Sequence, residues 1–367
     1  LRPILGRPST LLGIPFDRPV LGYGGKTINT LRLWAASTPD YFDFQQFSRG
    51  DFVGALAETL AAESLTRVLY PDDSTSMGQG LLFLQEYFLL ACSLGDLVRR
   101  FRRGNQDWNA LPEKVAIQMN DTHPTMAVPE LMRILLDDVH LDWDKAWDLT
   151  QRTLAYTNHT LLPEALEKWP LEWFEAMLPR HLEIILEVNR RLLDVVRNRF
   201  PGDTERVARV SLVEEGVRRK VRMANLAIVG SHSTNGVAAI HSGLLRTMTV
   251  KDLAELYPER FNNKTNGVTP RRWLLLANPA HSKTIPDAIG DGWITDLSQL
   301  NKLKKLADDK GFRASFLKAK REAKSQFAQW LKTTSGQTVD PDSIFDCQVK
   351  RIHEYKRQLL NALRIVV

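Results

Sequence analysis

Short apolar runs recur along the chain, and several stop abruptly at a polar group that carries histidine. Residues 114–119 lead into Asn120, Asp121, Thr122 and His123, with a helix expected from Pro129; residues 152–156 lead into Asn158 and His159; residues 225–229 lead into Gly230, Ser231 and His232. Buried parallel strands read as continuous apolar runs, and open α/β sheets place ligands beyond the C-terminal ends of their strands. These three runs are therefore read as strands, and their polar ends as the places for chemistry. Between them, residues 81–103 and 170–199 carry apolar side chains at helical spacing, the second stretch interrupted at Pro179, and both end in basic residues. Their aromatics, including Trp169, Trp173 and Phe174, read as core.

A different pattern stands near the other end. Residues 346–349 read as a short strand, after which KRIHEYKRQLL (350–360) crowds two lysines, two arginines and His353 into eight residues. Lys350 and Arg351 are expected at that strand's C-terminal end, and EYKRQLLNAL as a helix whose N-terminal amides add partial positive charge. That combination suits phosphate; the plain alternative is a solvated basic turn.

At 367 residues the chain is long enough for about two domains. The densest cluster of turn formers, NNKTNGVTP (262–270), is the boundary candidate. Hydrophobic residues at 43% and charged residues at 25% exclude wholesale disorder. The net charge of +6 raises nucleic acid as a partner, but the basic residues are interspersed with 43 acids. The other dense patch, Arg99, Arg100, Arg102 and Arg103, closes a predicted helix where cations complement the dipole, so no nucleic acid is expected. Cys92 and Cys347 sit in apolar segments without metal-ligand spacing, which points to no metal and a reducing, cytoplasmic setting. No apolar stretch approaches the roughly 18 residues of a span, and no signal pattern opens the chain, so no membrane is expected. The start at Leu1 and the uncapped apolar ALRIVV at the end read as an internal fragment. LGYGGKT (21–27) resembles a nucleotide loop, but Val20 stands where that loop requires glycine, and IPFDRP is a poor strand lead-in.

The basic segment closely resembles one in the glycogen and starch phosphorylases. The likeness extends through RVLYPDDS (67–74), VAIQMNDTHP (115–124), AYTNHTLLPEALEKWP (155–170), RVSLVEEG (209–216), GSHSTNGVAAIHS (230–242) and NKTNGVTPRRW (263–273). The chain is thus identified as a member of the α-glucan phosphorylases, most similar to the bacterial glycogen enzymes in its PDDST wording (71–75). The resemblance implies an α/β fold of two Rossmann-like domains of the GT-B type, the first lacking its start and the second truncated. Residues 1–263 would be the latter part of the N-terminal domain, and 264–367 the crossing and the start of the C-terminal, cofactor-side domain. The family's glycine-rich phosphate loop would lie before Leu1.

The implied activity is phosphorolysis of α-1,4-glucan, glycogen or maltodextrin, by inorganic phosphate to glucose 1-phosphate with retention. It uses pyridoxal 5'-phosphate, whose Schiff-base lysine is not in this chain, so the fragment alone is expected to be inactive. A homodimer and allosteric control are implied for the full-length protein. His232 and Asn266, read as neutral hydrogen-bonding groups at a strand end and a turn, are assigned by resemblance to the hydroxymethyl group of the glucose. Lys350 and Lys356 are assigned to the cofactor phosphate, Arg351 to the substrate phosphate, Tyr355 to a glucose hydroxyl and Trp273 to packing against the cofactor. Asp73 belongs to a mobile gate, and Asp121 and His123 lie towards the bound glucan. Leu82 and Gly80 depart from the family wording, with leucine for a usual arginine and glycine for an acid, which puts anchoring of that gate in doubt. A sugar-nucleotide-dependent glucosyltransferase of the same architecture and a non-catalytic glucan-binding fragment are the competing readings.

Overall fold

The computed structural model describes residues 10–39, 42–105 and 107–367; Leu1 lies outside them. The fold is α/β, and the chain divides into two units, Leu1–Asn266 and Gly267–Val367. The strands in chain order are β1 (Leu12–Leu21), β2 (Ile28–Ser37), β3 (Ile117–Asn120), β4 (Leu154–Thr157), β5 (Lys168–Pro170), β6 (Val213–Glu214), β7 (Lys220–Arg222), β8 (Ser233–Gly236) and β9 (Phe261–Asn263).

In the first unit β1 and β2 pair as an antiparallel hairpin, β5, β7 and β6 form a small antiparallel sheet, and β3, β4, β8 and β9 lie side by side in that order, all parallel. Helices connect each parallel strand to the next, as parallel pairing requires. Met119 of β3 and Tyr156 of β4 are fully buried, and the core around them is supplied by Val128, Leu131, Ile185 and Leu226 on the connecting helices. The helices Leu171–Met177 and Pro179–Arg199 meet at the expected proline, which is tolerated because it sits in a helix's first turn, where its missing N–H has no partner to lose.

Three sequence expectations are corrected here. Residues 225–229 belong to a helix, Met223–Val229, and the strand follows as Ser233–Gly236. Met, Ala, Asn, Leu and Ala are helix-compatible and only Ile228 and Val229 are β-branched, so an all-buried helix mimics a buried strand. IPFDRP is strand after all: Pro15 and Pro19 occupy alternate positions of a hairpin edge, where their missing N–H groups face away from β2. LGYGGKT is then the hairpin turn, with Gly24 and Gly25 at positive φ. Thirdly, the helix Ser76–Gly104 is long and apolar enough by composition to cross a membrane. It nevertheless buries Gln85, Glu86 and Asp96, and it carries Leu82, Phe83 and Leu94 into the core cluster. Those contacts make it a core helix. At its end Asp96 collects Arg32 (2.7 Å), Arg99 (2.5 Å) and Arg100 (3.0 Å), so part of the basic patch is internally neutralised.

The second unit has no strand among its described residues. Helices Pro279–Ile289 and Lys310–Ser335 pack together, with the His281 and Phe316 rings 4.5 Å apart, while Trp293 and Ala319 are buried. Arg321 forks onto Asp342 at 2.7 and 2.8 Å, fastening the chain that follows the long helix. Residues 346–349 are not a strand, because within this unit no neighbour offers a ladder for their backbone groups. Glu354–Lys356 form one tight turn, Arg357 is left-handed, and the helix starts only at Gln358. Cys347 is exposed rather than buried in an apolar segment.

Candidate functional site

The C-terminal ends of the four parallel strands gather a polar edge whose members fix one another. Asn120, ending β3, accepts or shares a hydrogen bond with His159 Nε2 at 2.6 Å, just past β4. Asp121 follows with φ at +64°, a left-handed conformation that Asp adopts more readily than most non-glycine residues. Its N–H donates to the Thr157 carbonyl (2.8 Å), and its carboxylate accepts from the Thr122 N–H (2.9 Å). Thr157 donates its hydroxyl to Asn235 Oδ1 at 2.9 Å, and Asn158, buried, donates to the Tyr156 hydroxyl at 3.0 Å. Its own side-chain oxygen has no partner among the described residues.

β8 ends at Gly236, where a Cβ would lie 2.5 Å from Ser242 Oγ and 2.6 Å from His241 Nδ1, so only glycine lets the next helix come this close. The Val237 N–H donates to His241 Nδ1 at 3.0 Å. That acceptor role places the proton of a neutral ring on Nε2, which is buried without a partner among the described residues. Burial, and then the His159 charge, hold the His241 pKa below its ordinary value, with Asp121 opposing them. Asn266 is tied to the same edge through its N–H to the Val237 carbonyl (2.9 Å), and Lys264 through its N–H to the Gly236 carbonyl (3.1 Å).

Asn266, Asp121 and His123 therefore belong to this edge or its loops. His232 does not. It precedes β8, its N–H bonds the Leu154 carbonyl at the start of β4 (3.0 Å), and its Nδ1 lies 3.2 Å from the Gln151 carbonyl. The expected strand end is thus a strand entrance, roughly 16 Å along the chain from Val237. His159 and His241 join His123 at the polar edge. The first was visible as a polar strand end; the second sits in the quoted GSHSTNGVAAIHS stretch, and the bond that orients its ring depends on packing that sequence does not display.

Asp73 lies in an exposed loop whose backbone accepts from Gln79 Nε2 at 3.0 Å, and the start of that loop touches the edge through Tyr70, whose ring meets His123 edge-on at 5.7 Å. Thr75 caps the long helix by accepting from the Gly78 N–H at 3.1 Å, so the loop is anchored by a cap. Leu82 is buried, where a bare charge would be costly, and nothing approaches Gly80.

In the second unit, Lys350, Arg351 and Tyr355 are exposed and Lys356 partly so. Gln358 Nε2 donates to the Arg351 carbonyl at 2.9 Å and the Lys356 ammonium stands 5.6 Å from the Tyr355 ring, which folds the segment into one turn. The ion pairs nearby, Arg321 with Asp342 and Arg364 with Asp346, leave those three cations unneutralised among the described residues. Such a donor set, two point charges and one planar fork, fits phosphate oxygens. Trp273 is 62% exposed, unlike the buried Trp169.

A family model described as carbohydrate phosphorylase matches residues 5–367. A glycogen phosphorylase of Synechocystis sp. is 52% identical over 358 residues, which is 98% of this chain and 42% of that protein. The muscle form from Rattus norvegicus is 50% identical and the brain form from Mus musculus 51%, each over 364 residues, covering 97% of this chain and 43% of the relative. The chain spans less than half the length of these relatives.

Proposed function

This chain belongs to the carbohydrate phosphorylase family, and on that premise we propose that the whole protein carrying it cleaves α-1,4-glucan with inorganic phosphate, releasing glucose 1-phosphate with retention. The observation that carries the reading is the likeness to glycogen phosphorylases along nearly all of the chain, joined to a ligand-facing sheet edge made of neutral hydrogen-bonding groups. We read residues 1–263 as the latter part of an N-terminal domain and 264–367 as the opening of a C-terminal one, in an architecture of the GT-B type.

Sugar recognition needs neutral donors and acceptors held still. Asn266 and His159 offer such groups, the first held through its backbone N–H to Val237 and the second through its ring bond to Asn120. Asp121 and His123 face the glucan, and Asp73 lies on the gate beside them. Oxyanions need unpaired cations: Arg351 receives the transferred phosphate, while Lys350 and Lys356 hold the phosphate of pyridoxal 5'-phosphate, with Tyr355 and Trp273 as flanking contacts. When bound, that cofactor supplies a phosphate group able to exchange a proton with the substrate phosphate. Glycogen or maltodextrin as substrate, a homodimer, allosteric control and a cytoplasmic location complete the proposal.

The test is release of glucose 1-phosphate from maltodextrin and glycogen by the whole protein, with and without pyridoxal phosphate, beside a parallel assay with a sugar nucleotide. Phosphate-dependent release that requires the cofactor is expected. Glucosyl transfer from the nucleotide without any phosphorolysis would overturn the proposal.

A further inference from the structure

The long helix Ser76–Gly104, the loop after β3 and the residue that precedes β5 bring Glu86, His123 and Glu167 together, with one donor atom of each within 4.8 Å of the others. Glu86 is only 7% exposed. Its Oε2 accepts from the Trp169 indole N–H at 3.2 Å, whereas its Oε1 and the Oε2 of Glu167 are buried and have no partner among the described residues. Neither carboxylate enters an ion pair there. A buried carboxyl group and the half-buried one facing it, with their inner oxygens out of reach of water, cannot both remain charged without something positive between them, so a shared proton or a cation must occupy the gap.

We propose that Glu86, Glu167 and His123 bind one divalent ion of the zinc class. The choice rests on the donor set. Imidazole with two carboxylates suits zinc and its neighbours, whereas calcium and magnesium take oxygen alone. His123 is exposed and its ring meets Tyr70 edge-on, with no hydrogen bond among the described residues, so it can swing to close the donors to the spacing of about 3.3 Å that bonds of zinc length demand. The indole N–H on the outer oxygen of Glu86 turns the inner oxygen towards the gap, as a neighbour to a ligand does. Water would fill the open coordination positions on the His123 side. An ion here would clamp three segments distant in sequence beside a cavity of about 460 Å³ lined by Leu82, Tyr70 and Ile117, and would fix the loop that carries Asp121. No sequence spacing announces such a site, because its ligands lie 37 and 44 residues apart (123 − 86 and 167 − 123).

The test uses the full chain stripped with a chelator and then titrated with Co2+, followed by the visible d–d bands, and by competition with Zn2+. One saturable Co2+ per chain, displaced by Zn2+, is expected. Glu167→Gln and His123→Ala are each expected to weaken uptake at least about tenfold. Glu86→Gln is expected to abolish the bands. The exposed His123 variant guards against loss of fold, as does the melting transition of each stripped variant. Absence of saturable Co2+ uptake by folded protein, or uptake unchanged in the three variants, overturns the proposal and leaves a shared proton as the occupant. Catalytic activity is not a readout, so the result is independent of the proposed reaction.

Discussion

The polar edge of the parallel sheet and the basic turn at 350–357 are opposites in how they hold their chemistry. At the edge, most of the polar groups are fastened: Asn120 to His159, Asp121 to Thr157, Val237 to both His241 and Asn266. In the turn, the charges are dense but their side chains are largely exposed, and the bonds that shape it run through Gln358, His353 and the backbone rather than through the cations themselves. The first region has geometry fixed by the sheet and little net charge; the second has charge fixed by composition and little burial. A sugar is read by placement, whereas an oxyanion is attracted by charge before it is placed, so the two regions suit different kinds of ligand chemistry.

The sharpest way to break this contrast is Arg351→Ala in the whole enzyme. Losing a charge-assisted contact to a transferred phosphate is expected to cost roughly 2.7–4 kcal/mol of barrier, while bound cofactor stays near wild type. An activity loss below about tenfold would show that the turn does not hold the reacting phosphate. Next in size is the pair His159→Ala and His232→Ala. The edge assignment expects a loss above about tenfold in kcat/KM for the first and no more than about threefold for the second. The reverse order would move the sugar to the other end of β8.

Gly236→Ala drives a methyl group into His241 and Ser242, and is expected to lower stability by about 1–3 kcal/mol, read from the denaturation midpoint. A neutral result would mean that the close approach is not rigid. Burial, and then the neighbouring Glu167, push the Glu86 pKa up to about 11 from an ordinary 4.5. The folded state then keeps a proton that the unfolded chain releases, so this contribution falls as pH rises above about 4.5. In chelator, Glu86→Gln is expected to melt higher than wild type at pH 8, with a smaller gap at pH 5; an equal gap at both would refute the carboxyl crowding. The smallest effect is Arg321→Ala, an exposed pair in the second unit, which is expected to leave the midpoint of a denaturant titration close to wild type.

What could be read from sequence follows the same division. β3 and β4 were legible because their apolar runs are short and end in polar clusters, and the helix break at Pro179 because proline has one physical meaning inside a helical pattern. β8 was not, since Ser-Thr-Asn-Gly has no apolar signature and is recognised only by its pairing with β4 and β9. The helix before it took the strand's place in the reading, and moved His232 to the wrong end. The basic turn was legible as chemistry but not as shape, because a strand at 346–349 needs a partner that local residues cannot supply. Glu86 and Glu167 carried no signal at all.

The hairpin of β1 and β2 also bears on how the protein behaves in concentrated solution. An edge strand is a template on which another chain can add, and ten-residue edges with Phe16, Val20 and Leu31 exposed are attractive ones. Pro15 and Pro19 remove two donors from the outward row of β1, and the helix Ala57–Arg67 packs on β2, where Thr66 accepts from the Ala36 N–H at 3.0 Å. Replacing both prolines by threonine would restore a continuous row of donors without disturbing the ladder to β2. That change would convert a quiet border into a sticky one, and light scattering would rise with protein concentration while the fold itself stayed intact.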